Sequence, residues 1–201
     1  MAEQGGAITA IILAAGYSSR MGAFKPLLPF GETTVLERAI ALFRAAGIAD
    51  IRVVVGHRAD ELLPLLVRWQ VRPLLNACYA EGMFSSVLTA AASFEGEGGA
   101  FFLLPVDFPL VRPESVEILL GAYRRGAGGI LYPTCHGRRG HPPLLATSYR
   151  DAILSWPGTG GLSELLRQYQ EDAANIETGD EGVLLDMDTP ADYERLQGLH
   201  S

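Results

Sequence analysis

Lysine is almost missing from this chain: of its 16 basic residues, 15 are arginine and Lys25 alone is lysine. Cysteine is nearly as scarce. Cys78 and Cys135 are too few for a disulfide framework and lack the spacing of metal ligands, which points to a reducing compartment. No apolar run approaches the roughly 20 residues of a membrane-spanning helix, so none is expected in this sequence. The segment Met1 to Gly6 carries Glu3 and no basic run, unlike a signal peptide, and the expected location is cytoplasmic. Excess positive charge is absent too. A formal net charge of −7 argues against nucleic acid or an anionic membrane surface as partner and leaves room only for local sites that take small anions. Repeats and low-complexity linkers are lacking, and 201 residues suffice for one well-filled core, so residues 1–201 are expected to form a single domain.

What is present centres on one stretch, Leu13-Ala14-Ala15-Gly16-Tyr17-Ser18-Ser19-Arg20-Met21-Gly22-Ala23-Phe24-Lys25. It directly follows the apolar run Ala7 to Leu13. A buried strand that ends at Gly16 in a loop of small residues, Ser18, Ser19 and Gly22 among them, exposes backbone N–H groups to a phosphate. Arg20 and Lys25 add positive charge. A compact ammonium on a flexible stem suits phosphate oxygens as a point charge, whereas a lone lysine on a solvated loop is the plainer alternative. The next helix is expected to open at Thr34, since Thr34 and Glu37 have capping-box spacing.

Along the rest of the chain apolar strands alternate with helical patterns. Leu36, Ala39, Ile40, Phe43 and Ala46 recur at helical spacing, and Gly47 ends that helix. Ile51 to Val55, Val71 to Leu75 and Ala100 to Leu104 are expected strands. Asp60 to Val67, Met83 to Ser93 and Pro113 to Arg124 are expected helices, the first despite Pro64. Residues 131 to 170 are less regular. Tyr132 to Thr134 and Pro142 to Leu145 are short strands there, about a basic loop from Cys135 to Gly140, and a helix covers Leu162 to Tyr169. The alternation predicts an α/β fold: a three-layer, Rossmann-like, mostly parallel sheet with helices on both faces. Ligands of such sheets gather at the carboxyl ends of the strands. The cradle, Asn76 to Gly82, and Asp107 therefore open onto one edge.

Candidate chemistry follows from that edge. Asp107, in Leu104-Pro105-Val106-Asp107-Phe108-Pro109, can hold Mg²⁺, which prefers one or two carboxylates plus phosphate oxygens, or it can cap the following helix. In Asp186-Met187-Asp188-Thr189-Pro190-Ala191-Asp192, the Thr189 cap and first-turn Pro190 explain Asp192 as structure and leave Asp188 ahead of Asp186 as a second acid. His141 is either a solvated loop histidine or a substrate contact on a cleft rim. Gly158-Thr159-Gly160-Gly161 offers a second loop with free N–H donors.

Together these residues resemble a known family, the nucleotidyltransferases that make molybdenum-cofactor dinucleotides, and within it the cytidylyl branch. Leu13 to Gly16 with Ser18, Ser19, Arg20, Met21, Gly22 and Lys25 is similar to its nucleotide signature. Asn76 with Glu81-Gly82-Met83-Phe84-Ser85-Ser86 resembles its nucleotide-contacting segment, Val106 to Pro109 its metal aspartate motif, Arg139 to Pro142 its Gly-His-Pro element, and Asp186 to Pro190 its closing motif. The resemblance implies a nucleotide-diphospho-sugar transferase-like fold and Mg²⁺-dependent transfer of CMP from CTP to the terminal phosphate of molybdopterin. It implies Arg20, Lys25 and Asp107 as catalytic, Asp107 and Asp188 as metal ligands, and Asn76, Ser85, Ser86 and His141 as binding residues beside the cradle. A molybdoenzyme that receives the product is a further implied partner. Ala15 stands where guanylyl-transferring relatives have glycine, and a methyl against the base favours a smaller ring by about 1–3 kcal/mol. Phe108 and Thr159 depart from the pattern, which has a polar residue and an acid there. Transfer of another nucleotide on the same scaffold, or a non-catalytic nucleotide- or cofactor-binding chaperone, are the alternatives.

Overall fold

A computed structural model describes residues 6–95 and 98–200; the reading of the N-terminus concerns residues that, Gly6 apart, lie outside these. In chain order the elements are β1 (Ala7–Leu13), a ribbon of β2 (Pro29–Phe30) and β3 (Thr33–Thr34), α1 (Val35–Ala45), β4 (Asp50–Val55), α2 (Ala59–Arg68), β5 (Arg72–Leu75), α3 (Met83–Ala92) and β6 (Gly99–Pro105). They continue with α4 (Pro113–Arg124), β7 (Ile130–Cys135), β8 (Arg138–Arg139), β9 (Leu144–Ala146), α5 (Arg150–Ser155), α6 (Gly161–Arg167), β10 (Ala173–Glu177) and α7 (Pro190–His200).

The main sheet runs β10-β7-β9-β6-β1-β4-β5, with β8 paired to β7. Neighbours β6-β1-β4-β5 are parallel, as is β10 beside β7. The returning strand expected at Pro142 to Leu145 begins two residues later and is β9, which lies antiparallel between β6 and β7. Pro142 and Pro143 have no N–H to donate to a ladder, which explains the later start.

Side chains alternate across the strands, and this period of two divides the core between the faces. Ala10, Ile12, Phe102 and Leu104 face α1, α2, α4 and α7, packing with Leu36, Phe43, Leu62, Leu119 and Leu196. Ile11, Leu13, Phe101 and Leu103 face α3, α5 and α6, with Val87, Ile153 and Leu165. Each fully buried side chain of this size contributes about 1.5–3 kcal/mol relative to exposure. Such two-sided burial is why β6 and the carboxyl-terminal parts of β1 and β4 are apolar without interruption.

Helix α1 opens on the expected capping box: the Thr34 hydroxyl accepts from the Glu37 N–H, and the Glu37 carboxylate accepts from the Thr34 N–H. The same carboxylate also ties α1 to α2. It accepts from Trp69 Nε1 at 3.1 Å and pairs with Arg68. Pro64 lies inside α2 and removes one N–H donor without ending that helix.

A strap from Asp180 to Met187 crosses the carboxyl edge of the sheet. The buried Asp180 carboxylate accepts from Arg112 N–H, the Ser115 hydroxyl and Gly182 N–H at 2.9, 2.7 and 2.9 Å. Val183 O accepts from His141 N–H at 2.8 Å, and Asp107 O accepts from Met187 N–H at 2.9 Å. Thr189 then caps α7 with Asp192, as expected.

Two outcomes follow for stability. Glu37→Ala removes a cap and leaves the Trp69 N–H unpartnered, so urea unfolding should show a loss of about 2 kcal/mol. Burial raises the Glu37 pKa, but its contacts to Trp69, Thr34 and Arg68 outweigh this and hold it below 4.5. Its contribution is therefore present in full above about pH 4.5 and is lost as pH falls through the lower native value, so the difference between wild type and variant should shrink in acid. Asp180→Ala strands three donors at once and should cost about 2–3 kcal/mol. Asp180→Asn, which keeps one acceptor oxygen, should lower the unfolding midpoint less.

Candidate active site

The ends of parallel strands β1, β4, β5 and β6 meet along one edge, and backbone bonds extend the ladder past them. Ala14 N–H reaches Val54 O, Val106 N–H reaches Leu13 O, and Asn76 N–H reaches Val55 O. A cleft of about 440 Å³ opens there, floored by Leu13, Ala14 and Ala15 and bordered by Gly16, Ser18 and Ser19. A Cβ on Gly16 would point into open space, so nothing within the chain demands glycine there; the room is left for a ligand to approach the backbone. Gly22, by contrast, has φ +69° and serves the turn itself. The Ser18 hydroxyl accepts from Lys25 N–H at 3.1 Å, which fixes the loop's return.

Lys25 begins a short 3₁₀ turn and is buried. Its Nζ lies 3.1 Å from Asp107 Oδ2 and 2.8 Å from Asp188 Oδ1. The solvated-loop alternative is thereby excluded. The guanidinium of Arg20 lies 2.6 Å from the other Asp188 oxygen, with 72% of its side chain exposed. The Lys25 ammonium, joined by Arg20, holds the Asp188 carboxyl below its ordinary 3.8 against the upward push of partial burial. Asp107 does not cap α4, whose cap position is Arg112. Its Oδ1 is buried and has no hydrogen-bond partner among the described residues. Asp186 is exposed, in keeping with its lower rank.

An orphaned carboxylate oxygen beside a second acid fits a hard divalent cation that also takes phosphate and water oxygens. Among the described residues, no group of three or more His, Cys, Asp or Glu forms a ready-made metal cage. The donor set is thus incomplete without a ligand.

The remaining candidates divide. Ser86 lines the cleft. Asn76 is buried beneath it, donating to the hydroxyls of Ser85 and Ser86 at 2.9 and 3.0 Å and accepting from Cys78 N–H. Asn76 and Ser85 therefore hold the loop and the start of α3 together and are absent from the cleft lining. Ala15 is 3% exposed, so its methyl offers little surface to the cleft whose floor it helps to form, and a Cβ on Gly56 would lie 3.0 Å from it. His141 is no solvated loop histidine. Its ring packs on Phe108 with centroids 4.6 Å apart, and its Nδ1 is buried without a partner among the described residues. Burial pushes its pKa down, against the pull of Asp107, the Leu103 carbonyl and Asp186.

His141 borders a second, largely apolar cavity of about 420 Å³ that shares Leu13, Met83 and Pro105 with the first. Gly160 and Gly161 line it, but the Gly161 N–H is already bonded to Gly158 O, so the expected set of free donors is reduced. Sequence reasoning passed over Tyr17 and Tyr79, which also line the first cleft. A tyrosine beside the glycine turn was the available signal.

Comparison with known proteins identifies the family. The model of the MobA-like NTP transferase domain matches residues 10–173. Over 188 residues the chain is 30% identical to the molybdenum cofactor cytidylyltransferase of Escherichia coli strain K12, covering 93% of this chain and 94% of that one. It is 29% identical over 196 residues to the nicotine blue oxidoreductase of Paenarthrobacter nicotinovorans, covering 94% and 96%. A Mycobacterium tuberculosis H37Rv protein crystallised in complex with manganese superposes with a TM-score of 0.79 at 25% identity, over 96% of this chain and 98% of that one. No helix among the described residues is long and apolar enough to cross a membrane. The chain belongs to the MobA-like NTP transferase family and is a nucleotidyltransferase.

Proposed function

We propose that the protein transfers CMP from CTP to the terminal phosphate of a molybdopterin-type acceptor. The observation that carries this reading is Lys25 held between Asp107 and Asp188 at the end of an open glycine turn. A phosphate oxygen of the acceptor attacks the α-phosphorus, the bond from that phosphorus to the bridging oxygen breaks, and pyrophosphate leaves with the electron pair. The attacking oxygen is already anionic, so the protein supplies no covalent nucleophile, only alignment and charge.

In this reading the amides from Ala15 to Ser19 bind the triphosphate, the Ala14 N–H being held by Val54 O. Arg20, whose exposed pair with Asp188 is worth at most about 1 kcal/mol, exchanges that partner for phosphate oxygens. Lys25 is kept in place by its two carboxylates and faces the leaving group. Asp107 and Asp188 would hold Mg²⁺, which neutralises phosphate charge and polarises the phosphorus centre when bound. The second cavity, beside His141, receives the acceptor. Residues 1–201 work as one domain in the cytoplasm, where both free cysteines stay reduced. Support for CTP and for the acceptor comes from the cytidylyltransferase relative.

Incubation with each NTP, Mg²⁺ and molybdopterin should release pyrophosphate fastest with CTP. Fastest release with GTP would make the protein a guanylyltransferase, and none with any NTP would leave a binding or chaperone role toward a molybdoenzyme. Lys25→Ala should lower kcat/KM about 100-fold, the loss typical of one preorganised charge donor, and unchanged kinetics would confine Lys25 to structure. Asp107→Asn should abolish divalent-cation-dependent turnover with little loss of stability, because the amide oxygen can still accept from Lys25 Nζ and Asp188 remains to neutralise that ammonium. A fully active variant would remove Asp107 from the metal site.

A further inference from the structure

The first cleft is charged at one end and aromatic at the other. Arg20, Lys25 and Asp107 line the former, Tyr17 and Tyr79 the latter. Tyr17 is the one exposed aromatic side chain among the described residues, with 51% of its surface open. It does not hang free. Its ring centroid lies 4.9 Å from that of His57 and 5.4 Å from that of Tyr79, and His57 in turn packs at 6.0 Å on the buried Phe24. An ordered ring that lines a cleft and is half uncovered leaves aromatic surface open for a ligand to stack on.

The backing is close-fitted. A Cβ on Gly56 would lie 2.7 Å from the Tyr79 Cβ and 3.0 Å from the Ala15 Cβ, so any side chain there would push Tyr79 out of place.

We infer that Tyr17, supported by Tyr79 and His57, is the stacking wall on which the nucleobase lies. The inference rests on the nucleotidyl-transfer reading above and adds to it. Every base has a π-face, so such a wall strengthens binding of all four nucleoside triphosphates and does not itself choose among them. Affinity for the base resides in Tyr17, and selection resides in whatever meets the base edge.

Calorimetric titration separates this role from shaping of the adjacent cradle, using nucleoside triphosphates with Mg²⁺ and, as a probe without a base, magnesium tripolyphosphate. Tyr17→Ala should weaken each NTP about tenfold, leave tripolyphosphate unchanged, and be rescued by Tyr17→Phe, because stacking needs the ring and not the hydroxyl. Equal loss for NTP and tripolyphosphate would assign Tyr17 to the cradle and overturn the wall. Unchanged NTP affinity in Tyr17→Ala, with wild type binding normally, would overturn the wall alone. A wild-type protein that binds tripolyphosphate but gains nothing from any base would overturn the wall together with the nucleotide reading.

Discussion

Two carboxylates brought together at the edge of an apolar sheet repel each other, and Lys25 is the cation that makes their meeting tolerable. At separations near 4 Å and an effective dielectric of about 20, each such interaction is of order 4 kcal/mol, larger than most single contacts in the fold. The partners are 82 and 163 residues from Lys25 in the chain. Asp107 arrives on the turn after β6, Asp188 directly after the strap pinned by Asp180, and Lys25 at the start of a 3₁₀ turn, its own N–H held by Ser18. Most of the architecture at this edge can be understood as the means of keeping these three groups in register.

Arg20 adds a second cation of a different kind. Its pair with Asp188 is largely in water, so it contributes little to stability, while removing the buried Lys25 would leave Asp107 unneutralised and Asp188 with Arg20 alone. The site thus has one fixed positive charge and one that is cheap to relocate. That combination would suit the proposed metal-bound nucleotide, for which the fixed charge would define a position while the mobile one gave up a carboxylate oxygen.

How much of this was legible in the sequence depends on whether a feature's cause is local. The run Ala7 to Leu13, the helix Pro113 to Arg124 and the caps at Thr34 and Thr189 carry their reasons within a few residues and coincide with the structure. Strand β10 was missed because Ala173-Ala174-Asn175-Ile176-Glu177 is a half-exposed edge strand without an apolar run, and it forms only because β7 offers a free parallel edge. The two-residue ribbon strands and six-residue α5 fall below any periodic signal. Within the site, Lys25, Asp107 and Asp188 could be picked out because acids and a lone lysine beside strand ends have few structural uses. Asp180 could not, since its partners Arg112 and Ser115 lie far away in sequence. Asn76 and Ser85 were taken as ligand contacts because their side chains can bind one, whereas the fold uses those groups to bind each other.

Overall similarity does not choose the substrate on such a scaffold. Two relatives at 30% and 29% identity, each matched over nearly its full length, are named for different reaction classes. The domain match ends at residue 173, before the strap and Asp188, so the family's core can be present whether or not the second acid is. Discrimination must therefore reside in what borders the shared cradle. Here the border consists of a carboxylate delivered by the strap, an aromatic end at Tyr17, and an apolar second cavity against His141. The acid side suits phosphate chemistry with a metal, the aromatic end suits a base, and the cavity opens where Leu13, Met83 and Pro105 join it to the first cleft. A second substrate placed there would lie beside the first, as direct group transfer requires.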